Sequence, residues 1–548
     1  MQFRIGRRGF LKASAAGAAV ALLGTQLSGC TGGSFGHGVA SGDPRVDAVV
    51  LWTRVSPTRE DEVSLVWELA KDADFKQRVA GGLVTTDASV DYTVKVDVCG
   101  LKPGQRYFYR FRSADAVSPV GQTRTLPAGQ VSRFTLGVVS CAHYVQGYFH
   151  VYRELALRDD LDLVLQLGDV IYESGNSSNS VRQVLPDQEL LDLASYRARY
   201  AHYRLDADVQ AVHARHAFAL VWDDHEVSNN AWRDGALGHA EAEGDYALRK
   251  AAAFQAYYEW LPVREPSSGE RAQIYRSLEV GDLLQLHLLD TRHWARDKAL
   301  SIVDYVNPQN GVLDEPRLRA DLLAPRALLG EAQKAWLSEG LAGAQTWQLL
   351  GQQVLLAPMW LPAPLALRQA TFVQYAALKA LEQSNPGALT ASQRRLLAAP
   401  NIPYNLDAWD GYAQEQRWLL DLAAELDINL LVLSGDTHNA WASDLRSSSA
   451  APVGAELACP SVSSRGLEEL LSGQDPASVQ AGALQYIETL RFAETAHRGY
   501  LLLTLTHEQA TASWRFVNDV KSTTYELLPE AGTSLRVLPG VRTLEPVG

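Results

Sequence analysis

Between Gly38 and about Pro127, apolar and polar positions alternate with a period close to two in short stretches. Val49-Val50-Leu51-Trp52-Thr53-Arg54, Val63-Ser64-Leu65-Val66-Trp67-Glu68 and Tyr92-Thr93-Val94-Lys95-Val96-Asp97-Val98 are rich in β-branched and aromatic residues. Such side chains suit a pleated, half-buried surface. Gly100-Leu101-Lys102-Pro103-Gly104 reads as a turn, and Tyr107-Phe108-Tyr109-Arg110-Phe111 as the start of another strand. Regularly spaced short strands predict a small all-β sandwich of the fibronectin or immunoglobulin type. It closes at a hinge, Leu126-Pro127-Ala128-Gly129. No catalytic constellation falls in this stretch, so its expected role is scaffold or cover.

After Arg133 the pattern changes. Apolar runs at 134–140, 163–167, 217–222, 283–289, 347–354, 428–434 and 500–505 are separated, in several cases, by helical periodicity at 196–203, 246–259 and 416–425. Strands apolar on both faces with helices between them predict an α/β domain of layered sheets flanked by helices. The polar loop Gly175-Asn176-Ser177-Ser178-Asn179-Ser180 is expected to be mobile. There is no internal repeat.

The N-terminus reads as an address rather than as part of the fold. Arg4, Arg7, Arg8 and Lys12 precede an apolar stretch, and Arg7-Arg8-Gly9-Phe10-Leu11-Lys12 matches a twin-arginine export signal. Leu27-Ser28-Gly29-Cys30 resembles a lipobox, which would make Cys30 the lipidated first residue of the mature chain. The apolar stretch is short for a span of ~20 residues. The expected organisation is a lipoprotein-type signal peptide at 1–29, a β-sandwich at 30–128 and a catalytic domain with a C-terminal tail at 129–548. The destination is the periplasm or cell surface, with the export machinery and a membrane anchor as partners. Loss of the signal shifts the net charge from −13 to −17, a balance that disfavours binding nucleic acid. It leaves Cys99, Cys141 and Cys459, an odd number that argues against a disulfide framework.

The candidate chemistry follows four of the apolar runs. They end in Ser140-Cys141-Ala142-His143, Gly168-Asp169-Val170-Ile171-Tyr172, Trp222-Asp223-Asp224-His225-Glu226 (with Asn229 and Asn230 beyond) and Ser434-Gly435-Asp436-Thr437-His438. An Asp after a strand is a common helix cap. Four such ends together, in a fold whose ligands bind at strand carboxyl ends, predict one convergent site if the strands are neighbours.

Gly168-Asp169-x-x-Tyr172 resembles the metallophosphatase motif with tyrosine in place of its last acid. Cys141, Trp222-Asp223-Asp224-His225-Glu226 and Ser434-Gly435-Asp436-x-His438 resemble the PhoD family of alkaline phosphatases and phosphodiesterases. Gly38-Val39-Ala40-Ser41-Gly42-Asp43-Pro44, Leu289-Asp290-Thr291-Arg292, Trp409-Asp410-Gly411-Tyr412 and Arg498-Gly499-Tyr500 extend that resemblance along the chain. The resemblance implies Fe³⁺ held partly by thiolate and phenolate, beside one or two Ca²⁺, with other divalent metals as alternatives. Cys141 and Tyr172 suit the iron, while Asp224, Asn229 and Asp436 suit a harder ion. Asp169 would bridge, and His438 could serve either ion. His143 departs from the family pattern, as ligand or as bystander.

The expected reaction is hydrolysis of a phosphate monoester or diester by metal-activated water. His225 would assist the leaving oxygen, and Arg292 would neutralise a phosphate oxygen. Arg182 is a rival for the latter task, and Trp232 and Trp409 are candidate apolar walls. The competing readings are a phosphodiesterase directed at lipid or teichoic-acid-like substrates, and a surface binding protein whose metal site is structural.

Overall fold

The computed structural model describes residues 32–547. The signal segment and Cys30 lie outside the described residues. The centre of the molecule is a pair of sheets packed face to face. The first has ten strands, in the order Leu544–Pro546, Ser534–Val537, Ala510–Val517, Arg498–Leu505, Phe134–Val139, Leu163–Gln166, Ala217–Leu220, Val39–Gly42, Ala48–Arg54 and Thr93–Cys99. The second has seven: Arg276–Val280, Leu284–Leu288, Trp347–Gly351, Leu430–Ser434, Pro452–Ala458, Ala440–Arg446 and Leu490–Glu494.

The period-two rule explains why the central runs are wholly apolar. Leu163 and Leu165 point between the sheets, while Val164 points outward beneath helices Leu193–Arg204 and Tyr246–Trp260. In the second sheet Leu431 and Leu433 face inward, and Leu430 and Val432 meet helices such as Gly330–Leu341 and Ala413–Glu425. Both faces are covered, so these strands are apolar until their carboxyl ends, where Gln166 and Ser434 stand. The result is four layers, helix–sheet–sheet–helix, as the apolar runs predicted.

The N-terminal strands form the expected sandwich. Val49, Leu51, Val94 and Val98 pack against Leu65, Leu69, Tyr109 and Phe111. The last four come from a four-stranded sheet ordered Arg78–Thr86, Val63–Ala70, Arg106–Arg112, Gly121–Arg124. One face of this sandwich is not separate from the rest, however. Val39–Gly42 runs parallel to Ala217–Leu220, pairing Ser41 with Ala217 and Gly42 with Phe218. A Cβ on Gly42 would come within 2.8 Å of the Phe218 carbonyl oxygen. Asp43 then accepts from the Arg264 amide at 2.7 Å and from the Arg276 guanidinium. The connector at Leu126 is also packed, since Leu126 and Val131 are buried in the core between the two large sheets. Between them, Ala128 and Gly129 are exposed.

Two further segments are tied into the fold. The loop at Gly175–Ser180 is pinned by Asn176, whose side chain accepts from the Val184 amide and donates to its carbonyl. The C-terminal tail contributes two antiparallel edge strands to the first sheet.

Candidate active site

Three of the four chemistry-bearing strands, those ending before Cys141, Asp169 and Asp223, are parallel neighbours in the first sheet. The fourth, Leu430–Ser434, lies in the second sheet. Convergence thus occurs across the seam between sheets rather than along one sheet edge. Two glycines let the strand ends pack closely, Gly435 across the seam and Gly168 within the first sheet. A Cβ on Gly435 would lie 2.5 Å from Ser140 Oγ, and one on Gly168 would lie 2.4 Å from Asp223 Cβ. Gly168 also has φ +107, a conformation that side chains rarely adopt. Beyond the glycines, Cys141, Asp169, Asp436 and His438 all have φ between 56 and 62. Four non-glycine residues in the left-handed region at one place mark a backbone shaped for its side chains.

Those side chains line or underlie a cavity of about 580 Å³. His143, Asp169, Tyr172, Asp224, His225, Asn229, Asp436 and His438 line it, and Cys141 lies buried beneath. Ligand atoms of Cys141, Asp169 and His438 lie within 4.8 Å of one another, as do those of Asp169, Asp224 and His225. Asp169 belongs to both groups.

On the first wall, the Tyr172 hydroxyl donates to Asp169 Oδ2 at 2.8 Å and meets Ser464 Oγ at 2.7 Å. Ser464 Oγ in turn donates to the Cys141 carbonyl at 2.9 Å. The His438 ring is held through Nδ1 by the Arg465 carbonyl, leaving Nε2 toward Tyr172 at 3.4 Å. His143 stacks on Tyr172 with ring centroids 3.9 Å apart, and its Nε2 is buried without a partner. Burial, then the Asp169 charge, raises the Cys141 thiol and the Tyr172 phenol well above their ordinary values.

On the second wall, Arg292 is wholly buried. Its guanidinium pairs with Asp223, with Asp407 at 2.5 Å and with Asp436 at 2.9 Å. Every edge of the guanidinium faces a carboxylate, so the phosphate-binding role expected for Arg292 does not fit its surroundings. It lies behind the cavity as the counter-charge for Asp223 and Asp436. Burial alone would raise Asp224, but Arg292, then His225 and the Asn230 amide, bring it below the usual carboxylate range. His225 Nδ1 sits 2.6 Å from Glu173 Oε2. Burial disfavours its charged form, yet Glu173, Asp224 and Asp169 raise it well above the ordinary imidazole value.

Arg182 is occupied elsewhere, paired with Asp206 and lying over Tyr144. Trp409 is buried, donating to Gln352 at 3.0 Å. Neither it nor Trp232 lines the cavity, and among the described residues nothing beyond Leu470 does so. The tail reaches the rim through Lys521, which donates to Glu469 at 2.6 Å.

Several supporting residues escaped the sequence reading. Glu173 also accepts from the Asn229 amide at 2.6 Å, tying the Tyr172 loop to the His225 loop. Its only sequence signal is adjacency to Tyr172. Glu226 clips Val170 and Asp223 through their amides. Gln353 bonds the Trp222 and Leu289 carbonyls and the Thr291 hydroxyl, joining strand ends of the two sheets. Asp290 accepts from the Arg292 and His293 amides and from the Trp222 indole, which gives Leu289-Asp290-Thr291-Arg292 a positioning role. Asp407 and Ser464 come from segments without a recognisable motif.

Two packed sheets with helices outside, and carboxylates, imidazoles, a thiol and a phenol gathered at their strand ends, form the framework of a phosphoesterase. The family model described as PhoD-like phosphatase matches residues 136–514, and its N-terminal domain model matches residues 27–127. Alkaline phosphatase D of Bacillus subtilis (strain 168) is 34% identical over 503 residues, spanning 88% of this chain and 77% of that protein. A solved structure described as that of PhoD superposes with a TM-score of 0.75 at 31% identity, covering 94% of this chain and 92% of the other. The chain belongs to the PhoD-like phosphatase family and is a phosphoric ester hydrolase.

Proposed function

We propose that the protein is an exported, metal-dependent enzyme that hydrolyses phosphate monoesters and diesters. The observation that carries the metal dependence is Asp169. It belongs to both groups of convergent ligand atoms, and its Oδ1 is buried with no hydrogen-bond partner. Buried carboxylate oxygens are almost always satisfied, so an orphan there fits a cation. The donor set agrees. Cys141, Tyr172, Asp169 and His438 would hold a softer, strongly acidic ion such as Fe³⁺, and Asp169, Asp224, Asn229 and Asp436 one or two harder ions such as Ca²⁺. Bound there, the metals would supply charge stabilisation for the phosphoryl oxygens and acidify a water nucleophile.

The chain's own residues set up the rest. Glu173 orients His225 and favours its protonated form, which suits a proton donor to the leaving oxygen. Arg292 holds Asp436 and Asp223 in place from behind. Leu467 and Leu470 give the cavity an apolar lip on which an ester group can rest.

Export as a folded protein and lipidation at Cys30 complete the reading, supported by the Arg7-Arg8 and Leu27–Cys30 patterns. Among the described residues no helix is long and apolar enough to cross a membrane, so attachment would rest on the N-terminal segment. Retention of R7K/R8K protein in the cytoplasm, and loss of membrane association by C30A, are the expected results.

The deciding test is turnover of chromogenic mono- and diesters before chelation, after it, and after return of Ca²⁺, with metal content measured in parallel. Loss on chelation and recovery with Ca²⁺ is expected. Metal-loaded protein inactive on both ester classes would overturn the reading.

A further inference from the structure

Behind the loop that carries Asp169 and Tyr172 lies a second, internal cavity of about 30 Å³. Val170 and Ile171 form one side of it, and Tyr200, Arg204, His213 and Phe218 others. Arg204 ends the helix Leu193–Arg204 and is only 2% exposed. Nε, Nη1 and Nη2 of its guanidinium all lack a hydrogen-bond partner. The guanidinium lies over the Trp52 ring, 4.3 Å from its centroid, and among the described residues no carboxylate forms an ion pair with it. Two other groups lining the same cavity are also unsatisfied, the Tyr200 hydroxyl and His213 Nδ1.

A guanidinium always carries its proton under ordinary conditions, and a buried cation without a counter-charge is among the costliest arrangements in a protein. A face-on aromatic ring offsets part of that cost but satisfies none of the N–H groups. The nearby titratable groups supply no negative charge. Burial drives His213 to its neutral form and Tyr109 away from ionisation, while Arg204 itself is pushed down to about 9 by burial. The cavity needs only ~10–15 Å³ per water-sized occupant. It is too small for an organic anion.

We propose that this cavity is a binding site for a small monovalent inorganic anion, of which chloride is the type, held by Arg204 with the Tyr200 hydroxyl and the His213 ring. The anion sits at the junction of three elements: the N-terminal sandwich through Trp52, the helix Leu193–Arg204, and the back of the metal-ligand loop. It is separate from the phosphate-binding cavity, and its occupancy is independent of turnover.

The test uses the full-length protein. Crystals equilibrated in bromide should show an anomalous peak in this cavity beside Arg204, and R204M crystals should lack it. In solution, chloride in place of isoionic gluconate should raise the melting temperature by about 2 °C at a hundredfold excess over the dissociation constant. The melting temperature of R204M should be the same in both salts. Water density without an anomalous peak in bromide-equilibrated wild-type crystals would overturn the proposal, whether or not R204M folds. So would a peak that persists unchanged in R204M.

Discussion

On one side of the active-site cavity, Asp223 and Asp436 enclose a buried arginine, and Glu173 backs a histidine. Arg292 supplies counter-charge to Asp223 and Asp436, and Glu173 pairs with His225, although Asp223 Oδ2 keeps no hydrogen-bond partner. On the other side, Cys141, Asp169, Tyr172 and His438 share hydrogen bonds among themselves and with Ser464, but no lysine or arginine pairs with them. There an oxygen of Asp169 stays orphaned, and burial holds the thiol and phenol protonated. The Arg292 wall carries its own counter-charge. The Cys141 wall is a set of donors suited to a cation, because only a strong Lewis acid would make thiolate and phenolate favourable in so dry a place. The Arg292 wall brings its carboxylates with a counter-charge behind them, and the Cys141 wall brings donors with none.

The largest break in that contrast is D169N, which removes the residue common to both ligand groups. Activity should fall on the order of 10³-fold or more, with a loss of bound metal. Unchanged metal stoichiometry would contradict the shared-ligand role. Next is R292M, which leaves Asp223 buried and uncompensated. It should cost about 3–5 kcal/mol, seen as a melting temperature lower by about 3–5 °C for a chain of this size. A stability equal to wild type would mean that the wall does not depend on its internal counter-charge.

A finer probe is E173Q, which leaves the Cys141 wall intact but weakens the hold on His225. The expected loss is roughly 10–100-fold in kcat, as for partners that orient metal-site residues, with metal content retained. A fall in metal content equal to that of D169N would instead make Glu173 part of ion retention. The smallest effect is expected from H143F. Stacking on Tyr172 survives, and the imidazole belongs to neither convergent group, so kcat should drop by less than about tenfold with metal content unchanged. Loss of an ion in H143F would move His143 from packing to coordination.

Much of this was legible in the chain. Strands covered on both faces are mostly apolar, so the runs at 134–140, 163–167 and 428–434 declared themselves, and so did the reactive residues that begin where each run stops. Glu173 and Asp407 were hidden for the opposite reason. Each acts on partners 52 or more positions away, and nothing in the local pattern records such a distance.

The sequence by itself determined the layered architecture, because periodicity and burial are local properties of each strand and helix. It also determined the identities of the side chains offered to the site. Only the tertiary structure decided that the fourth motif arrives from a second sheet, that the N-terminal strands continue the catalytic sheet, and that Arg292 faces four carboxylates instead of the cavity. Those outcomes depend on which sheet a strand joins and on what packs around a charge. A buried arginine and a substrate-binding arginine look the same in sequence, since what separates them is the set of carboxylates that folding brings to it.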